Sequence, residues 1–230
     1  MEALEVFTGG SYKRSPTLTE VNALSYGHIP FGGRGKSGKT LNMHGMICSC
    51  PDLRSRPKAF YGLPDVSIFP EDYQAYSVSD LDEVDPGSIV ILDDVVRLFP
   101  SRDSKDLTLQ RFMGVISHKD ILVISTFQSF KNADQCLFRD QTIIPLLKIF
   151  SLFGLAFERE EFVDYCRAGN ELIPQFERSL GIDYHLLVFS PLFLEILSIK
   201  PPKWYDERHS HSLRNVAILE GMGGKKNVRS

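Results

Sequence analysis

The 230-residue chain is 43% hydrophobic and 24% charged, with a formal charge of −3 and a pI near 6.1. That is the composition of a globular protein, sized for one α/β domain with at most a small appendage. It excludes a basic glove for nucleic acid, so any contact with DNA must come from a local patch or from subunits arranged around a strand.

The opening "MEALEVFTGG" carries acids where a signal peptide needs a basic region, so no signal peptide is expected. Residues 1–27 are polar and punctuated and read as an N-terminal arm. Residues 28–220 read as the main domain, and the small, basic 221–230 as a mobile tail. After "YGHIPFGG", the segment "LNMHGMICSC" has helical periodicity, with Leu41, Met43 or His44, and Ile47 recurring on one side. The Pro-, Asp- and Ser-rich stretch from Pro51 to Ser88 reads as a connector with short strands and a helix cap at Ser79. "SIVILDDVV" is an unbroken apolar run, the pattern of a strand buried on both faces of a parallel sheet. "SKDLTLQRFMGVISHKD" reads as an amphipathic helix with Leu107, Phe112, Val115 and Ile116 inward, and "ILVISTFQS" as a second buried strand. Strands alternating with helices predict an α/β, doubly wound fold.

Thr142–Phe157 is the most lipid-like stretch, yet it is too short to span a bilayer and holds Pro145 and Lys148. It reads as a buried element or contact surface, with a membrane-touching segment as the other reading. Beyond residue 160 the expectations are a partly helical segment, a strand at "DYHLLVFSP", and a loop or short helix at "PPKWYDERHSHSL". The four cysteines, Cys48, Cys50, Cys136 and Cys166, fit no zinc spacing and read as buried or free thiols.

Gly33-Arg34-Gly35-Lys36-Ser37-Gly38-Lys39-Thr40 matches G-x-x-x-x-G-K-[ST] in full. Its glycines permit the left-handed turns that aim successive N–H groups at phosphates, and the helix that follows aims its N-terminus at the same anion. Lys39 is placed for the β- and γ-phosphates of ATP, and Thr40 for Mg²⁺. "IVILDD" delivers two acids to a strand's carboxyl end. There Asp93 suits the Mg²⁺ shell, and Asp94 suits polarisation of an attacking water, although capping of the next helix is the alternative for both. Strand "ILVIST" ends in Thr126, and Gln128 lies two residues on, where a polar tip can sense the γ-phosphate. His118, at the helix end, reads as a solvent or capping residue.

This order of "GRGKSGKT", "ILDDVVRLFPSR", a helix ending "SHKD" and "ILVISTFQS" resembles the HerA–FtsK group of P-loop motors. Within that group the chain is similar to genome-packaging ATPases of membrane-containing icosahedral viruses, with "PPKWYDERHSHS" matching a segment common near their C-termini. The resemblance covers roughly Ile29 to Phe130. It implies a mostly parallel, twisted sheet flanked by helices, ATP and Mg²⁺ as ligands, and ATP hydrolysis driving double-stranded DNA. It also implies a homo-oligomeric ring, typically a hexamer, that works in the host cytoplasm and at the packaging vertex of the virion, where capsid portal or membrane proteins are possible partners. A neighbour's arginine then completes the site. Arg139 is favoured and Arg102 next, with Arg97 and Arg111 as further candidates. Lys119, Lys131, Arg54, Arg56 and Lys58 are candidate phosphate-backbone donors. Three departures stand out: the second acid is Asp94 where the group has Glu; Phe127 separates Thr126 from Gln128, so Gln128 could face away and leave Thr126 or Ser125 as sensor; and the stretch between the loop and the acid-tipped strand is short and Pro-rich, with no additional recognition domain expected. The competing readings are a Zot-like, membrane-associated phage assembly or export ATPase, a small-molecule P-loop kinase, and a nucleotide-dependent scaffold.

Overall fold

Apolar runs without interruption can be buried only between two layers, and the runs at Ile89–Leu92 and Ile121–Ile124 supply two neighbouring strands. The computed structural model describes residues 5–8, 15–99, 107–131, 133–138, 146–156, 158–180, 185–189 and 194–210. In chain order these form β1 (Glu5–Thr8), α1 (Pro16–Ala23), β2 (Gly27–Gly32), α2 (Lys39–Ser49), α3 (Pro51–Ser55), β3 (Lys58–Tyr61), β4 (Ala75–Val78), β5 (Ile89–Leu92) and α4 (Val95–Leu98). They continue with α5 (Thr108–Val115), β6 (Leu122–Phe127), β7 (Leu146–Leu147), α6 (Leu152–Leu155), α7 (Glu160–Leu180), β8 (His185–Phe189), β9 (Leu194–Ser198) and α8 (Glu207–Ser210).

The described strands make one sheet in the order β1-β9-β8-β7-β2-β6-β5-β3-β4. β2, β5 and β6 lie side by side in parallel register, with Ile29 opposite Ile124 and Ile91 opposite Ile124 from the other side. β8 runs antiparallel to both of its neighbours, and the remaining pairings are parallel. The expected α/β class and mostly parallel sheet are what the chain adopts.

Alternation along each strand feeds two cores, because successive side chains point to opposite faces. Ile89 and Ile91 join Met43, Met46 and Ile47 of α2 on one face. Val90 and Leu92 join Leu109, Phe112 and Met113 of α5, with Cys166 and Ile173 of α7, on the other.

Several elements differ from the expectations. Part of the stretch read as an arm is regular: β1 pairs with β9, and α1 starts at Pro16 with the Ser15 hydroxyl accepting from Leu18 N–H. Buried Glu195 on β9 accepts hydrogen bonds from the Ser15 hydroxyl at 2.6 Å and from the Thr17 N–H and hydroxyl, which seats α1 against the sheet. In α5 the inward residues are Leu109, Phe112, Met113 and Ile116, whereas Leu107 (44% exposed) and Val115 (37%) face out. The helix begins at Thr108, so the apolar stripe is phased from Leu109 with the usual spacing of three, four and seven residues. The cap expected at Ser79 falls on Asp80, which forms a reciprocal capping box with Glu83. α7 is one helix across Pro174, and β9 is a strand that the periodicity did not bring out. Of Thr142–Phe157, the described residues Leu146, Leu147, Lys148 and Phe150 are buried within the fold, and among the described residues no helix is long and apolar enough to cross a membrane.

Candidate functional site

The loop from Gly33 to Gly38 leaves the carboxyl end of β2 and enters α2, between β7 on one side and β6 on the other. Its backbone is pinned at its start. Gly33 N–H donates to Phe127 C=O (3.1 Å), and Arg34 N–H to Ile149 C=O (2.7 Å). Gly33 has φ +151°, and a Cβ there would stand 2.7 Å from the Lys148 Cβ, so only glycine fits. Gly38 (φ +84°) caps α2 without a side chain, leaving the helix N-terminus to be met by an anion. Lys36 adopts φ +60°, a left-handed conformation that is strained for a non-glycine residue. Arg34, Gly35 and Lys36 are exposed, while Ser37 and Gly38 are half-buried.

Lys39 is almost fully buried, and its ammonium donates back to the carbonyls of Gly33 (2.8 Å) and Arg34 (2.9 Å). Burial lowers its pKa, and the nearby carboxylates of Asp93 and then Asp94 oppose that shift. Across the sheet tip, the Thr40 hydroxyl lies 3.4 and 3.5 Å from the two Asp93 carboxylate oxygens. Burial raises the Asp93 pKa and neighbouring Asp94 adds to the rise, while the Thr126 and Thr40 hydroxyls and Lys39 pull the other way. Thr126 is a hub. Its hydroxyl donates to Asp93 Oδ1 at 2.5 Å and accepts the Asp94 N–H at 2.8 Å. Asp94 itself is left-handed (φ +55°, ψ +59°) at the start of α4, with no side-chain capping bond.

Phe127 is buried in the core, and the strand's alternation brings Gln128 back to the side of Thr126. The Gln128 Oε1 lies 3.8 Å from the position a Cβ on Gly35 would take, so its amide faces the phosphate loop. Ser125 points the other way and bonds His28. His28 Nδ1–H donates to Leu137 C=O (2.7 Å), which leaves Nε2 to accept from the Ser125 hydroxyl at 2.5 Å. Burial pushes the His28 pKa down to about 4. The pairing of Thr126 and Gln128 at the site thus survives the intervening phenylalanine, and Ser125 is not part of it.

The candidate cations fare differently. Arg97 on α4 and Arg111 on α5 are exposed, and Arg102 and Arg139 lie outside the described residues. Arg56 is no phosphate donor, since its guanidinium bonds the carbonyls of Leu24, Gly87, Ser88 and Asp120 at the sheet end opposite the loop. Lys58 is buried, donates to Arg54 C=O (2.6 Å) and sits 4.8 Å from the Tyr73 ring centroid, while exposed Arg54 pairs with Asp72. Lys119 precedes β6 and Lys131 follows it, so those two lie at opposite ends of the sheet.

Two observations test whether these residues suit a nucleotide and Mg²⁺. Ser37 Oγ and Asn42 Oδ1 are buried without a hydrogen-bond partner at the loop and first turn of α2. Thr40 and Asp93 present hydroxyl and carboxylate oxygens toward each other at a separation too long for a strong direct bond, the donor set a hard divalent cation prefers. The residues fit the group.

No protein-family model matches the chain, and no curated protein matches it. Among solved structures, B204, the DNA-packaging ATPase from Sulfolobus turreted icosahedral virus, is similar with a TM-score of 0.52 at 14% identity, covering 76% of this chain and 98% of that one. The genome-packaging NTPase B204 from Sulfolobus turreted icosahedral virus 2 in complex with sulfate gives a TM-score of 0.53 at 13% identity, covering 77% and 98%. The same NTPase in complex with AMPPCP gives 0.51 at 12%, covering 77% and 99%. The fold is that of a P-loop NTPase. In this P-loop fold the loop, the acid-tipped β5 and the Thr126–Gln128 tip of β6 occupy adjacent carboxyl ends, where α/β sheets gather their ligands.

Proposed function

We propose that the chain is an ATP-hydrolysing ring motor that translocates double-stranded viral DNA into a preformed capsid. The observation that carries the reading is the convergence of Lys39, Thr40, Asp93, Asp94, Thr126 and Gln128 on one sheet edge, with Thr126 bonded to both acids. Residues Gly33 to Thr40 hold the triphosphate, with Arg34 and Lys36 adding positive charge at its rim. Lys39 exchanges its bonds to the Gly33 and Arg34 carbonyls for bonds to the β- and γ-phosphates. Thr40 and Asp93 would hold Mg²⁺, which would supply charge neutralisation to the triphosphate. Asp94 orients a water and takes its proton as the water oxygen bonds the γ-phosphorus and ADP departs. Gln128 contacts the γ-phosphate or that water.

The finer reading adds a hexameric ring in which Arg139 of one subunit reaches its neighbour's γ-phosphate. Each subunit then offers one or two cations to the DNA backbone, Lys131 at the loop end being the best placed of the candidates, so a chain of charge −3 can still track DNA. Its place is the host cytoplasm and the packaging vertex of the virion, against a portal or membrane protein. Hydrolysis measured with and without double-stranded DNA tests this. Turnover that DNA stimulates, that Lys39→Ala abolishes, and that accompanies assembly into a ring by mass measurement is the expected result. A monomer in the presence of an ATP analogue and DNA overturns the motor, and activity retained in Lys39→Ala overturns the site.

A further inference from the structure

Two backbone segments flank the phosphate loop, and neither has enough strand pairing to satisfy itself. On one side β7 is two residues long, and the chain then runs on through Lys148, Ile149 and Phe150. Lys148 N–H donates to Gly32 C=O (2.7 Å), and Ile149 C=O receives Arg34 N–H (2.7 Å), so this segment forms the wall against which the loop starts. On the other side the chain leaves β6 through Gln128 to Ala133. Buried or half-buried backbone groups in such segments need partners. Both sets come from one helix and the two residues before it.

Asn170 on α7 bonds both polar groups of one residue. Its Oδ1 accepts Phe150 N–H at 2.6 Å, and its Nδ2 donates to Phe150 C=O at 3.0 Å. Two turns away Glu177 lies 3.7 Å from the buried Lys148 ammonium, and a Cβ on Gly169 would stand 3.7 Å from Lys148 C=O. Just ahead of α7, Arg159 donates to Phe130 C=O (2.7 Å) and Ala133 C=O (2.6 Å), while Glu158 Oε1 accepts Lys131 N–H at 2.7 Å. Asn170 therefore grips the wall of the phosphate loop, and Arg159 grips the segment that follows Gln128.

We infer that α7 is the positioning element of the nucleotide site, with Asn170 setting the phosphate loop and Arg159 setting the Gln128 segment. Both side chains are engaged by the backbone groups of Phe150, Phe130 and Ala133, so each acts through the backbone it holds. The inference rests on the nucleotide-site reading given above. It predicts separable kinetic signatures, because the phosphate loop binds the triphosphate in ground and transition state alike, whereas Gln128 serves the step itself.

The test is steady-state ATP hydrolysis by the full chain, with affinity for a fluorescent ATP analogue and melting temperature measured in parallel. Asn170→Ala is expected to raise KM and the analogue's dissociation constant about tenfold with kcat within about twofold, the size that a small displacement of a positioned group costs. Arg159→Ala is expected to lower kcat about tenfold with KM within about twofold. Asn170→Asp keeps the acceptor but sets a charged oxygen against Phe150 C=O where the donor stood, and it gives the same direction of change if the alanine variant does not fold. Scaffolding alone would move KM and kcat together in both variants, and that result overturns the inference. So does Asn170→Ala with parental KM while Lys39→Ala is inactive, an outcome that leaves the site reading standing. A parent chain that neither binds nor hydrolyses ATP removes both.

Discussion

Thr126 satisfies an acid and a backbone amide with a single hydroxyl, and that economy makes it testable. Burial already raises the Asp93 pKa, and the bond from Thr126 is the first of the contributions holding it down. Thr126→Val keeps the shape and removes that donor. Asp93 then protonates at higher pH, so the acid limb of the activity profile moves upward and turnover falls by about tenfold or more. Thr126→Ser is expected to restore both. A pH–rate profile is the measurement, and an acid limb that stays in place in the valine variant refutes the role. The same hydroxyl receives the amide of left-handed Asp94. Loss of the bond releases the turn that aims the second carboxylate, so the rate should fall even at pH values where Asp93 is fully ionised.

At the scale of elements, α2 shows how closely the phosphate-binding helix is seated. Gly45 faces the chain after β9, and a Cβ there would stand 2.8 Å from Lys200 C=O and 2.6 Å from an Ile199 methyl. Alanine favours a helix over glycine by up to about 1 kcal/mol. Even so, Gly45→Ala is expected to destabilise the protein by about 1–3 kcal/mol, the usual cost of overpacking against an unyielding neighbour. Chemical denaturation measures it, and a gain in stability would show that the segment at 199–200 yields freely. Such contacts also mark where sequence reading stops. The phosphate loop, the acid-tipped strand and the sensor strand were legible because each is a contiguous string whose chemistry needs those residues at that spacing. Arg56 and Lys58 looked like free cations because their carbonyl partners are brought by the fold and by helix geometry rather than by any motif. Asn170 gave no signal at all, since its partner is the backbone of a residue 20 positions away. The phase of α5 was misjudged because Leu107 precedes the helix and Val115 ends it, where apolar residues need not face inward.

For the whole molecule, two buried histidines set a limit in acid. Burial holds His28 down to about 4, and burial with neighbouring His209 holds His44 down to about 3, amid Phe60, Phe69, Tyr73, Trp204 and Tyr205. Both stay neutral in the folded chain, while in the unfolded chain they take up protons below about pH 6.5. The unfolded state therefore binds more protons in that window, and stability falls as pH drops from about 6.5 toward those folded values. Each histidine costs about 1.4 kcal/mol per pH unit. Urea midpoints at pH 7 and pH 5 check this: a markedly lower midpoint at pH 5 is expected, and equal midpoints refute it.

The pairing of β1 with β9 bears on how the molecule is made. Glu5 lies opposite Glu195, and the Ser15–Thr17 corner is anchored on that same Glu195 side chain. Contacts between such distant positions close a long loop, and they are expected to form late. On the ribosome the first strand is synthesised long before its partner exists. The nucleotide-binding centre can assemble around β2, β5 and β6 while the N-terminal segment waits unpaired. Removal of residues 1–15 is then expected to leave a chain that still folds its centre but exposes the edge of β9 to other strands, so recovery of soluble protein, more than nucleotide affinity, should suffer.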